Sequence, residues 1–364
     1  MSVATLAPAA PVHADVSRDA QWHLNYLRVA EAHRVSRGDG VIVAVPDSGV
    51  NPHPDLRRNL LLGTDVIPGG SGDGRQDRDG HGTGMAGLIA AHGRGSNSGA
   101  LGIAPRAQIL PIFESPPHEE GNTDDLAAGI EYATAKHADV ISISAVAGAS
   151  VRLQRAIRTA LDANIIVVAA AGNRPRELTV GYPASEPGVI AVGGVDRDSE
   201  HADSSVTGPE IDVVAPAVDI YSTSIDGKYR KGTGTSDATA IVAGAAALIR
   251  SKYPYLPAQE VAHRLTATAV DKGPPGRDDE YGYGVIDLVA ALTGDVPPLG
   301  FESTAASAPA DTSSTTAAAP ASDSRDGATA RGLATLGAIV AAGGGYLLWQ
   351  RRRRADDPPP RVSR

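Results

Sequence analysis

Four short segments carry side chains that together could cleave an amide bond. In VIVAVPDSGV (41–50) an apolar run ends at Asp47, and an acid so placed can hold an imidazole in one tautomer and stabilise its charged form. In DGHGTGMAGLIAAHG (79–93) His81, a candidate general base, precedes small and apolar residues that read as a buried helix. IIVVAAAGN (165–173) delivers Asn173 at the end of another apolar run, where its amide can donate to a developing oxyanion, an effect of about 3 to 4 kcal/mol. In GTGTSDATAIVAGAAALI (232–249) glycines lead into Ser236 and a strong helix pattern follows. The hydroxyl would then stand at a helix N-terminus, whose N–H groups and positive end also favour an oxyanion. Taken singly, Asp47 and Asn173 are ordinary turn residues, Ser236 an ordinary cap and His81 an ordinary packed or surface histidine. A nucleophile, a base, an orienting acid and an oxyanion donor occurring together, in the order Asp, His, Ser, point to nucleophilic acyl transfer.

These residues need a frame that brings them to one rim. Apolar runs at 41–45, 140–143, 165–170 and 189–192 alternate with helix-length segments at 82–92, 124–136, 151–163 and 237–252. Strands buried on both sides and separated by helices imply an α/β fold, a mainly parallel sheet with helices on both faces, with function at the carboxyl ends of the strands.

Composition removes several alternatives. The 364-residue chain has a formal charge of −9 with dispersed Lys and Arg, so nucleic acid is not an expected partner. It contains no cysteine, which excludes disulfides, thiolate metal sites and a cysteine nucleophile. GxxxxGK[ST] is absent, and GTGTS at 232–236 lacks the lysine of a phosphate loop. Asp73, Asp77 and Asp79 in GDGRQDRDG raise the question of calcium, but a solvated acidic loop is the preferred reading, so neither a metal nor another cofactor is expected.

VAVPDSGV, GHGTGMAG, AAAGN and GTSDATAIVAG resemble, in type, order and spacing, the motifs of the subtilisin-like serine proteases (subtilases), with the resemblance covering about residues 25–293. It implies a subtilisin-like three-layer sandwich and an endopeptidase acting on protein or peptide substrates through an acyl-enzyme. Asp47 would be the orienting acid, His81 the base and Ser236 the nucleophile. Asn173 would complete the oxyanion hole. SISAVAG (142–148) aligns with the substrate-binding strand, making Ser144, Ala145 and Val146 the substrate-binding candidates. Two departures stand out. Pro46 would remove one ladder bond from its strand, and Ala240 replaces a proline four residues after the nucleophile.

The chain divides into a leader-like or ordinary N-terminus (1–14), an extension (15–39), the catalytic body (40–293), an Ala/Ser/Thr/Pro-rich linker (294–330), a transmembrane helix (331–350) and a basic tail (351–364). Residues 332–349 are uncharged and would span roughly 27 Å as a helix, near the lower limit for crossing a bilayer. The arginine tetrad at 351–354 follows this stretch, so the positive-inside tendency places the tail in the cytoplasm and the body outside a cell membrane crossed once. This layout resembles the mycosins, actinobacterial proteases of type VII secretion, and implies that secretion membrane complex as a partner. A structural subunit of such a complex and a general cell-surface protease are the rival expectations.

Overall fold

The computed structural model describes residues 16–95, 97–115 and 122–299. The leader-like segment, nearly all of the linker, the span at 331–350 and the basic tail lie outside the described residues. Among the described residues no helix is long and apolar enough to cross a membrane.

After three short helices, α1 (Val16–Asp19), α2 (Trp22–Tyr26) and α3 (Val29–Ala32), the apolar runs become strands. These are β1 (Ile42–Asp47), β2 (Thr64–Asp65), β3 (Gln108–Phe113), β4 (Val140–Ile143), β5 (Ile166–Ala170), β6 (Ile190–Val195) and β7 (Val213–Pro216). They form one parallel sheet in the order β2-β3-β1-β4-β5-β6-β7. A hairpin of β8 (Ile220–Thr223) and β9 (Tyr229–Gly232) makes a second, antiparallel sheet.

Successive strand side chains point to opposite faces, and each face has its own core. Val43, Val45, Ile109, Val140 and Val168 pack with α4 (His81–Ala90) and α7 (Thr235–Lys252). Ala44, Ile112, Ile141, Ile143 and Val167 pack on the other face with α5 (Thr123–Ala135) and α6 (Val151–Asp162). Helix α7 is buried along nearly its whole length, including Ala240, as expected of a core helix that is apolar all round. Helices α8 (Ala258–Ala267) and α9 (Leu288–Thr293) close the body.

Strand β1 continues through Pro46. The carbonyls of Val41 and Asp47 accept from Gln108 and Glu114 on the β3 side, whereas that of Ile42 accepts from Asp139 on the β4 side. Pro46 shares the parity of Ile42, so its missing N–H faces β4, whose pairing with β1 stops at Ala44. The proline stands past the end of that ladder. Chain order reverses between β1 and β4, and a crevice opens at such a switch point beyond the strand ends.

The loop at 73–79 departs from the solvated acidic stretch expected of it. Asp73 and Asp79 are accessible, Asp73 pairing with Arg75, but Asp77 is 6% exposed. Its Oδ1 accepts from Ser48 Oγ, Asp79 N and Gly80 N, and its Oδ2 from Thr83 N and Thr83 Oγ1. A buried carboxylate is tolerated because donors surround it, and here those donors include first-turn N–H groups of α4 that the helix itself cannot satisfy. Asp77→Ala is therefore expected to destabilise the fold by about 2 to 4 kcal/mol, read as a lowered denaturant midpoint at unchanged slope.

Candidate active site

Asp47 is the last residue of β1, and Gly49 turns the chain behind it with φ +87°, a conformation that favours glycine. His81 opens α4. Gly82 allows the close approach of this helix, since a Cβ there would lie 2.1 Å from Gly49 O and 3.0 Å from Asp47 Oδ1. The result is a short contact in which His81 Nδ1 lies 2.9 Å from both Oδ1 and Oδ2 of Asp47. Asp47 is buried while a third of the His81 side chain remains exposed. Loss of hydration disfavours the imidazolium, but the charge and hydrogen bond of Asp47 outweigh it, and the His81 pKa is pushed up to about 9.

Ser236 is the second residue of α7. Its Oγ donates to Ser144 O at 3.0 Å, and Ser144 Oγ donates back to Ser236 O at 3.2 Å. Asn173 follows β5. Its Oδ1 accepts from Thr235 N at 2.9 Å, which leaves the Nδ2 amino group without a partner among the described residues. The four candidate reacting residues thus come from the ends of β1 and β5 and the heads of α4 and α7.

Two cavities meet along residues 144–147 and His81. The larger, about 830 Å³, also contains Ser236, Asn173 and Gly172. The smaller, about 120 Å³, runs past Asp47, Asp79 and Glu114. Of the three substrate-binding candidates, Ser144 is buried with its side chain tied to Ser236 O, whereas Ala145 and Val146 are accessible in the cleft.

Several residues here carried no mark in the sequence reading. Ser48 Oγ donates to Asp77 and Asp79 and accepts from Gly82 N, linking the turn after β1 to the head of α4. Asp237, 3% exposed, is held up to about 6 by burial against the opposing pull of Arg230 and His81. Glu114, 3% exposed, is pushed up to about 8 by burial, then by Asp47 and Asp125. A signal for Glu114 was present, because ILPIFE repeats the pattern that marked Asp47, an apolar run ending in an acid. Among the described residues no group of three or more His, Cys, Asp or Glu is placed to hold a metal ion.

The subtilase family model (peptidase family S8) matches residues 38–284. Subtilisin DY of Bacillus licheniformis is 39% identical over 260 residues, covering 70% of this chain and 92% of its own. The thermostable alkaline protease of Halalkalibacterium halodurans is 37% identical over 274 residues, 74% of this chain and 73% of that protein. Among solved structures, MycP1 with its N-terminal propeptide removed superposes with a TM-score of 0.70 at 31% identity, covering 76% of this chain and 98% of that one. The MycP3 protease from the type VII (ESX-3) secretion system gives 0.66 at 32%, covering 77% and 91%. Match to the family model over more than half the length, with identity near 40% to subtilisins, makes the chain a member of the subtilase family of serine endopeptidases, structurally similar to the mycosins.

Proposed function

We propose that Ser236 attacks a peptide carbonyl carbon while His81 Nε2 takes the hydroxyl proton, giving an acyl-enzyme that water then hydrolyses. Asp47 stays ionised, orients the ring through Nδ1 and stabilises the imidazolium. Asn173 Nδ2 and the N–H groups at the head of α7 receive the negative oxygen. The observation that carries this reading is the paired 2.9 Å contact of the buried Asp47 carboxylate with Nδ1 of His81, whose ring lines the same cavity as Ser236 and Asn173. A fluorophosphonate serine probe should label the wild-type chain and leave Ser236→Ala unlabelled. Label retained by the variant would overturn the assignment.

Oxyanion donation strengthens only as charge develops, so Asn173→Leu is expected to lower kcat by about 10² to 10³ with KM little changed, a split that steady-state kinetics reads directly.

Within the family we assign the chain to the mycosin type, an extracytoplasmic endopeptidase anchored through 331–350 and working with a type VII secretion membrane complex. Support comes from the likeness to MycP1 and MycP3 and from the order of body, polar linker, uncharged stretch and arginine tetrad. Secretion in a strain carrying Ser236→Ala separates this reading from a purely structural subunit, which would lose nothing. Release of the body from membranes on truncation before residue 331 tests the anchor.

A further inference from the structure

The smaller cavity borders Asp47 and His81 but has no occupant in the bond cleavage proposed above, and its lining is acidic. Asp47, Asp79 and Glu114 contribute carboxylates to it, and no Lys or Arg lines it among the described residues. Asp47 is engaged by His81, and Asp79 by Ser48 and the His81 N–H. Glu114 is different: its side chain is buried, and its Oε2 has no hydrogen-bond partner among the described residues. A buried polar atom left without a partner is costly, and retaining one calls for an explanation. Asp125, in the first turn of α5, adds further negative potential.

The position of the pocket fixes what could supply the missing donor. A substrate whose carbonyl carbon lies against Ser236 and whose oxygen meets Asn173 must place that residue's own side chain in the larger cavity, which contains both. The preceding chain can run extended along residues 144–147, which wall both cavities. Successive side chains of an extended peptide point to opposite sides. The next residue toward the N-terminus therefore turns its side chain into the smaller cavity, beside His81.

We propose that this pocket receives the side chain immediately N-terminal to the residue whose carbonyl is attacked, and that Glu114 makes lysine or arginine the preferred occupant. The aliphatic stem would lie against Leu126 and Val146, and the cationic head would reach Glu114. Burial and the neighbouring carboxylates keep Glu114 protonated in the empty pocket near neutral pH, and an arriving ammonium or guanidinium favours its ionised form. This inference rests on the acyl-transfer reading and names the substrate class for the same site.

Matched fluorogenic peptides carrying lysine or the uncharged isostere norleucine at this one position test it. The wild type is expected to favour lysine in kcat/KM by about tenfold or more, the size of one charge-assisted hydrogen bond, and Glu114→Gln should bring the ratio close to one. A wild-type ratio near one, or a ratio that survives Glu114→Gln, would overturn the proposal. Should the variant fail to fold, the wild-type ratio alone decides. Fluorophosphonate labelling reads Ser236 without using this pocket. A chain that takes no label sinks the acyl-transfer reading, whereas a labelled chain indifferent to lysine sinks only the pocket.

Discussion

Ser236→Ala should cost on the order of 10⁶ in kcat, because the members of a Ser/His/Asp unit act together and removing the nucleophile removes the covalent route entirely. The fold should barely register the change. Among the described residues the hydroxyl makes one hydrogen bond, to Ser144 O, and the return bond from Ser144 Oγ ends on the backbone carbonyl of residue 236, which alanine retains. Turnover and thermal unfolding measured on one preparation make the test. Activity above about 1% of wild type would sink the nucleophile assignment, since the groups left behind supply only about 10³ to 10⁴ over water.

Asp47→Asn should lower kcat by about 10⁴ and at the same time move the acidic limb of the pH profile downward. In the wild type His81 is held up to about 9, and only its neutral form can accept the serine proton, so kcat/KM should climb as pH rises toward that value. Take away the carboxylate charge and the largest remaining influence is loss of hydration, which lowers the pKa, so the variant's limb should fall below the usual histidine value of about 6.5. A variant profile with its acidic limb still near the wild-type position would contradict the Asp47–His81 coupling. Stability moves the other way. A histidine whose folded pKa is raised stabilises the native state fully below about pH 6.5, and the contribution disappears as pH rises through about 9. Unfolding experiments across this range should find the pair contributing most where it catalyses least.

The parallel sheet, its two helical layers and the convergence of the four candidate residues were legible because each rests on a strong local pattern. Apolar runs of strand length alternate with helical segments, and each candidate stands at the end of one element. Observed boundaries differ from the expected ones by a few residues. Helix α7 starts at Thr235 rather than Asp237, since Thr235 and Ser236 already take helical geometry behind Gly234. Strand β6 runs on to Val195 through Gly193 and Gly194, which carry no strand signal but face the close-packed Val214, Ser205 and Ala217. Asp77 was misread because its value lies in long-range geometry: GDGRQDRDG, nearly all acid, arginine and glycine, looks solvated until Ser48 and Thr83 fold around one of its acids. Glu114 was hidden for a related reason. Only the pairing of β3 beside β1, with Phe113 opposite Asp47, puts a second carboxyl next to the first.

The bond from Thr235 N to Asn173 Oδ1 has an effect beyond tidiness. An amide turned end for end would set N–H against N–H, so only one orientation survives, the one presenting Nδ2 to an incoming oxygen. Because the anchoring N–H belongs to the residue just before Ser236, the Asn173 amide is oriented by the same helix head that carries the Ser236 hydroxyl. On the proposed mechanism, the dipole that would meet the tetrahedral intermediate is thus aligned once, when the chain folds, and need not be rearranged at each turnover.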